Sequence, residues 1–288
     1  MQKWIDKATH LIEALPYIRR FSGKIFVIKY GGSVMPEPSS QLHSIMQDIA
    51  LLSFCGIRII LVHGGGPEIS TLCQELQIPV QFQQGQRVTD EKTLAAVQMA
   101  LLGKVNTNLV SALCQQGIKA IGISGQDASF IRAKKLIHDE IDLGWVGEVE
   151  NVDNKLIMTL LTNGFLPVIA PIARDPSGQA YNINADTVAA AIAGACTAEK
   201  LVLLSDVNGV YADKNDAQTR ISSMNMATIT TWLQEQRIQG GMIPKVKAGM
   251  QALEQKVGKV HILDGKIRHS LLLEIFTDDG IGTMLTQV

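Results

Sequence analysis

The 288-residue sequence has little of what marks most specialised proteins. Its four cysteines, Cys55, Cys73, Cys114 and Cys196, are scattered with no close pair among them, which excludes a disulfide framework or a cysteine-built metal centre and leaves reduced core thiols. It has no basic tail or block: 26 lysines and arginines face 27 acidic residues, for a net charge of -1, a balance that excludes strong attraction to a nucleic-acid backbone. No apolar run approaches membrane-spanning length, and Lys3, Asp6 and Lys7 interrupt the apolar positions at the N-terminus, so neither a membrane partner nor a leader is expected. Three catalytic signatures are also missing: Gly-x-Ser-x-Gly, Gly-x-Gly-x-x-Gly and the phosphate loop ending in Gly-Lys-Ser/Thr. The expectation is a protein of a soluble, reducing compartment whose chemistry uses none of these devices.

What is present is a repeated order of strand, turn and helix in a chain that is 46% hydrophobic, enough for a large α/β core or two lobes. A β-like run at 25–28 ends in Lys29-Tyr-Gly-Gly-Ser33 and precedes a helical region at 40–55. A second run at 57–62 enters His63-Gly-Gly-Gly-Pro67, where Pro67 suits the first turn of a helix. A helical stretch at 89–116 leads to a strand at 118–123. Continuously apolar runs at 165–170 and 201–204 read as strands covered on both faces, and they flank an alanine-rich helix that begins near Ala185. A helix at 245–257 and strands at 259–263 and 271–276 carry the alternation onward. Residues 131–152 break it and predict a hairpin that covers a ligand. The whole favours parallel βα construction. Ahead of it, Trp4, Ala8, Leu11 and Leu15 form one apolar helical stripe before Pro16, which packs back on its own domain or crosses to another subunit; periodicity does not distinguish the two.

The turns carry the chemistry. Glycine lets backbone amides approach phosphate oxygens closely, and two glycine turns follow consecutive predicted strands. Lys29 sits at the mouth of the first strand and Lys245, in Gly240-Gly-Met-Ile-Pro-Lys245, at the start of a later helix, so two ammonium groups could neutralise one phosphate. Asp186, in Asn182-Ile-Asn-Ala-Asp186, either caps its helix or holds both lysines; a carboxylate acceptor needs no general base, which favours the second role. Arg87 could hold a substrate carboxylate in its planar fork, with Asn182 as a second polar contact. His63 is followed by glycines rather than by a second ligand at helical spacing, so it shapes the turn and no metal ligand is assigned.

These motifs resemble the amino-acid kinase family across essentially the whole chain, from Lys29-Tyr-Gly-Gly32 to Gly280-Ile-Gly-Thr-Met284. The resemblance implies a three-layer αβα sandwich around a largely parallel central sheet with an additional N-terminal helix. Residues 1–22 would then be an oligomerisation element, 23–195 the lobe for an N-acetyl-L-glutamate acceptor and 196–288 the lobe for ATP, with Mg2+ as cofactor. By the same resemblance Lys29 and Lys245 stabilise the phosphoryl group, Asp186 organises them, Gly31, Gly32, Gly65 and Gly66 offer backbone amides, and Arg87 and Asn182 bind the acceptor. Asp206, Gly209 and Met242 belong to the nucleotide side, with Asp206 towards magnesium-bound phosphate. Likeness to arginine-inhibited members implies a pocket for L-arginine at Tyr17, His261 and Glu274, and a hexamer built as a trimer of dimers through the leading helix. Relatives in photosynthetic cells make the signalling protein PII a candidate partner, and the compartment is expected to be the cytoplasm, or a chloroplast stroma for an organelle gene. The competing class is a silent sensor that keeps the ligand pockets; the two lysines argue against it.

Overall fold

A computed structural model of the chain describes residues 1–32, 40–137, 141–213, 216–277 and 280–288; Ser33 of the first glycine motif and the pair Asp278-Asp279 lie outside the described residues. Eight strands form one sheet in the order Ser223–Asn225, Thr283–Thr286, Lys259–Asp264, Lys200–Ser205, Ile25–Tyr30, Arg58–His63, Leu166–Ala170 and Ala120–Ser124. From Lys259–Asp264 onward every neighbour is parallel; Thr283–Thr286 turns the direction by pairing antiparallel with Lys259–Asp264. Parallel strands must be covered on both faces, and the alternating side chains divide accordingly. Val27, Ile60, Val62, Leu201 and Leu203 enter one core with the helices Lys155–Thr162, Ala185–Ala195 and Met242–Glu254. Phe26, Ile28, Tyr30, Ile59, Leu61, Val202 and Leu204 enter the other, beneath Ser40–Phe54 and Gly66–Glu75. This is the αβα sandwich expected.

The predicted hairpin at 131–152 is Ile131–Lys135 paired antiparallel with Val146–Val152, and two short strands, Ile172–Arg174 and Ala180–Ile183, close it into a small barrel. The long helical stretch begins at Glu91, where the Asp90 side chain accepts from the Thr93 N–H at 2.7 Å, and its middle, Met99–Asn106, widens into a π-helix before Thr107–Gln115 resumes the α form.

One expected element is overturned. Residues 271–276 are not a strand: Ser270–Ile275 is a helix, and the late strand is Thr283–Thr286. Burial shows why, since Ser270, Leu271, Glu274 and Ile275 are buried while Leu273 is 40% exposed, a helical spacing that a strand cannot produce. The leading segment also differs in detail, being two helices, Gln2–Glu13 and Leu15–Phe21, broken at Ala14. Phe21 anchors the second by edge-to-face contact with Phe26, ring centroids 5.3 Å apart. The first helix leaves its stripe outside: Trp4 is 66% and Leu11 75% exposed. No helix among the described residues is long and apolar enough to cross a membrane.

Candidate active site

The phosphate motifs meet where adjacent parallel strands end. Lys29 is paired in register with Val62 on one side and Leu203 on the other, so the loops after these three strands converge. Asp186 approaches from the first turn of the Ala185–Ala195 helix, yet does not cap it; the Asn184 side chain does so, accepting from the Asp186 N–H at 2.8 Å and the Thr187 N–H at 3.3 Å. Relieved of that duty, the carboxylate bridges two cations, with Lys29 Nζ 2.9 Å from Oδ1 and Lys245 Nζ 3.2 Å from Oδ2. Burial alone would raise the carboxyl's pKa, but the ammoniums of Lys29 and Lys245 outweigh it and hold Asp186 ionised, below the usual carboxylate range. Two cations against one anion leave the bridge one positive charge in excess, suited to a phosphoryl group.

The two glycine loops lie against each other. A Cβ on Gly32 would sit 2.9 Å from the backbone nitrogens of both Gly65 and Gly66, and one on Gly65 would press on Leu101. Side chains here would separate the loops, so glycine is required by the approach itself. Gly66 also opens the Gly66–Glu75 helix, whose N-terminus favours an anion.

Arg87, on the short hairpin strand Gln86–Arg87, is only 7% exposed. Its Nη2 donates to the Gly66 carbonyl at 3.0 Å and to Ser70 Oγ at 2.7 Å, and its guanidinium lies 4.7 Å from the Phe82 ring centroid. Nη1 is buried without an acceptor among the described residues, and no carboxylate among them pairs with this guanidinium, an arrangement that is costly unless a ligand completes it. Asn182 reaches the same neighbourhood through buried Thr89, which accepts from Asn182 Nδ2 at 3.2 Å and donates to the Arg87 carbonyl at 2.8 Å. Thr89 had no sequence signal beyond following Arg87.

Beside Lys245 opens a cavity of about 860 Å³ lined by Asp206, Gly209, Met242 and Lys245, with Tyr211, Arg237 and Gln239 among its walls. Asp206 is exposed at its mouth and accepts from Ser205 Oγ at 3.2 Å. Among the described residues no three His, Cys, Asp or Glu side chains are grouped as a metal site. The cavity thus meets the lysine bridge at Lys245, while Arg87 is tied through the Gly66 carbonyl to the glycine loop.

The profile of the amino acid kinase family matches residues 24–264. The chain belongs to the amino acid kinase family. It is 53% identical to an acetylglutamate kinase of Symbiobacterium thermophilum, with 99% of each chain covered, and 47% identical to one of Methanocaldococcus jannaschii, covering 100% of this chain and 98% of that one. Among solved structures it resembles the N-acetylglutamate synthase of Neisseria gonorrhoeae complexed with coenzyme A and N-acetyl-glutamate, at a TM-score of 0.85 and 27% identity over 98% of this chain; the chain spans 63% of that synthase's length. The same synthase complexed with L-arginine gives a TM-score of 0.84 at 26% identity, covering 98% of this chain and 65% of the synthase.

Of the three residues expected to hold arginine in this member of the kinase family, two are buried side by side and the third lines a surface groove. His261 and Glu274 are buried together, Nδ1 to Oε1 2.6 Å apart, and Glu274 Oε2 accepts the N–H groups of Ile281 and Gly282 at 2.7 and 2.9 Å. Tyr17 instead lines a surface groove with Glu13, Arg20 and Phe276, its ring 6.3 Å from that of Phe276. Sequence reasoning missed Lys200, whose Nζ lies 2.8 Å from His261 Nε2; burial pushes this lysine down to about 8, with Lys259 adding to the effect. A lysine opening an apolar strand carried no sign of that partner.

Proposed function

We propose that the chain transfers the γ-phosphoryl group of ATP to the side-chain carboxylate of N-acetyl-L-glutamate, giving N-acetyl-L-glutamyl 5-phosphate and ADP in arginine biosynthesis. The observation that carries this reading is the buried Arg87 guanidinium, which has no carboxylate partner among the described residues and is tied to the glycine loop packed on Gly32, at the end of the strand that carries Lys29 of the Lys29–Asp186–Lys245 bridge. Near-complete coverage by acetylglutamate kinases supports the choice of acceptor.

In this reading Arg87 and Asn182 hold the acceptor, whose ionised carboxylate oxygen attacks the γ-phosphorus while the bond to the ADP oxygen breaks. No protein base is needed, since the nucleophile carries no proton. Lys29 and Lys245 follow the charge that develops on the phosphoryl oxygens, the loop amides add to it, and Asp186 keeps the lysines in place. Mg2+ would screen the phosphate charges; the hard oxygens of Asp206 and of Asn208, whose Oδ1 is buried with no partner among the described residues, suit such an ion. We place residues 1–22 as the assembly element of a hexamer, supported by the exposed stripe, and L-arginine as a feedback inhibitor acting near Tyr17, His261 and Glu274, supported by the arginine complex of the similar synthase.

A coupled assay tests the assignment. ADP should form only with N-acetyl-L-glutamate present, and hydroxylamine should trap the acyl phosphate. Ligand binding without turnover would instead establish a silent sensor, and turnover only with aspartate, carbamate, glutamate or UMP would reassign the acceptor.

A further inference from the structure

His63 closes the Arg58–His63 strand and is completely buried. Its Nδ1 lies 2.9 Å from the Gly64 carbonyl oxygen and its Nε2 3.0 Å from Nδ2 of Asn106, which also donates to the Val168 carbonyl at 2.9 Å. Carbonyls only accept, so the two at the ends of this chain set its direction. Asn106 must present its NH2 to Val168 and gives its second hydrogen to Nε2; the ring's proton therefore sits on Nδ1 and is donated to Gly64. Burial pushes the imidazole down to about 4, so the ring stays neutral and keeps this tautomer.

The geometry continues into the glycine loop. In a trans peptide the carbonyl and the following N–H point in opposite directions, so pinning the Gly64 oxygen towards His63 aims the Gly65 N–H away from it. The Gly65 and Gly66 nitrogens are the atoms that a Cβ on Gly32 would strike, and neither N–H has an acceptor among the described residues. Asn106 reaches His63 from the end of the π-helix Met99–Asn106, where the wider i to i+5 turn sets it on the face of Leu101, the residue that rests on Gly65. Gly122 leaves the room its Oδ1 occupies.

We propose that His63 and Asn106 are positioning residues that aim the Gly65 and Gly66 amides at the transferring phosphoryl group, and that the widened helical turn is there to supply Asn106. This rests on the kinase reading above.

The test combines kinetics with a measurement that needs no substrate. In folded His63→Phe, kcat should fall about 30- to 100-fold, as when an aimed amide is lost, while the KM for ATP and acceptor stays within about threefold. His63→Asn, which keeps an N–H near the Nδ1 position, should recover about tenfold of that loss. Asn106→Ala should lower kcat about tenfold and decides the matter if the phenylalanine variant does not fold. Nitrogen-15 NMR of the ligand-free wild type should show His63 protonated at Nδ1 and bare at Nε2, with mixed tautomers in Asn106→Ala. A ring protonated at Nε2, undiminished kcat in the folded variants, or a loss confined to KM overturns the proposal. A wild type without turnover would overturn the kinase reading instead, and the ring's tautomer would still decide this one.

Discussion

Asp186 has one carboxylate and two ammonium partners, and that imbalance organises what substitutions should do. Lys29→Ala leaves Asp186 paired with Lys245, so the fold should survive while kcat drops by about 100-fold or more, the scale expected when a charge contact to a transition state is lost. Arg87→Ala removes the guanidinium proposed to hold the acceptor and should instead raise the KM for N-acetyl-L-glutamate by about 10- to 100-fold, the worth of a charge-assisted hydrogen-bond pair. Steady-state kinetics on both variants separates the roles, and unchanged kcat in the lysine variant would defeat the clamp. His63 gives a pH signature. Its folded value of about 4 lies below the unfolded value near 6.5, so the unfolded state binds the extra proton and stability falls as pH drops from about 6.5 to 4, by at most about 1.4 kcal/mol per pH unit. Denaturant melts across that range should show a shallower slope in His63→Asn than in the wild type. Lys29, Lys245 and Arg87 were legible because each stands beside a glycine turn, and Asp186 because it follows Asn182 and Asn184 at a helix entrance. Asn106, Thr89 and Lys200 were not, because their partners are 43, 93 and 61 residues away in sequence.

At the scale of elements, apolar periodicity located six of the eight strands of the sheet, missing the short Ser223–Asn225 and Thr283–Thr286, and it failed where a short run admits two periods. Residues 271–276 contain enough leucine and isoleucine to pass for a buried strand; only the burial of Glu274, drawn in by His261 and two backbone amides, shows the helical repeat. The π-helix left no periodic mark either, since eight widened residues inside a 25-residue helical stretch shift the apolar phase by little. The leading helix was legible as a stripe, but not its destination. Its exposed Trp4 and Leu11 now favour another copy of the chain as the cover. A variant beginning near Ser22 should sediment as a smaller species than the full-length protein and lose part of its response to L-arginine. A hexamer in both would remove the helix from assembly, and full-length activity indifferent to arginine would reject the inhibitory pocket.

For the whole molecule, composition and alternation pointed to parallel βα construction, since strands apolar on both faces must be covered on both sides, and the αβα sandwich itself came with the resemblance to the amino-acid kinase family. The closure of 131–183 into a barrel was not legible, because the two strands that complete the predicted hairpin, Ile172–Arg174 and Ala180–Ile183, are three and four residues long and look like loops until they pair. The assembled architecture also gives the lysine bridge a mechanical meaning. Asp186 holds Lys29, rooted in a central strand, at 2.9 Å and Lys245, rooted in a helix beside the cavity proposed for the nucleotide, at 3.2 Å. Such a strut works as a gauge: sliding that helix against the sheet by a single ångström would stretch one contact past hydrogen-bonding range while sparing the other. A ligand bound far from the phosphate could therefore throttle the reaction by moving a load-bearing pair of walls, without touching either substrate.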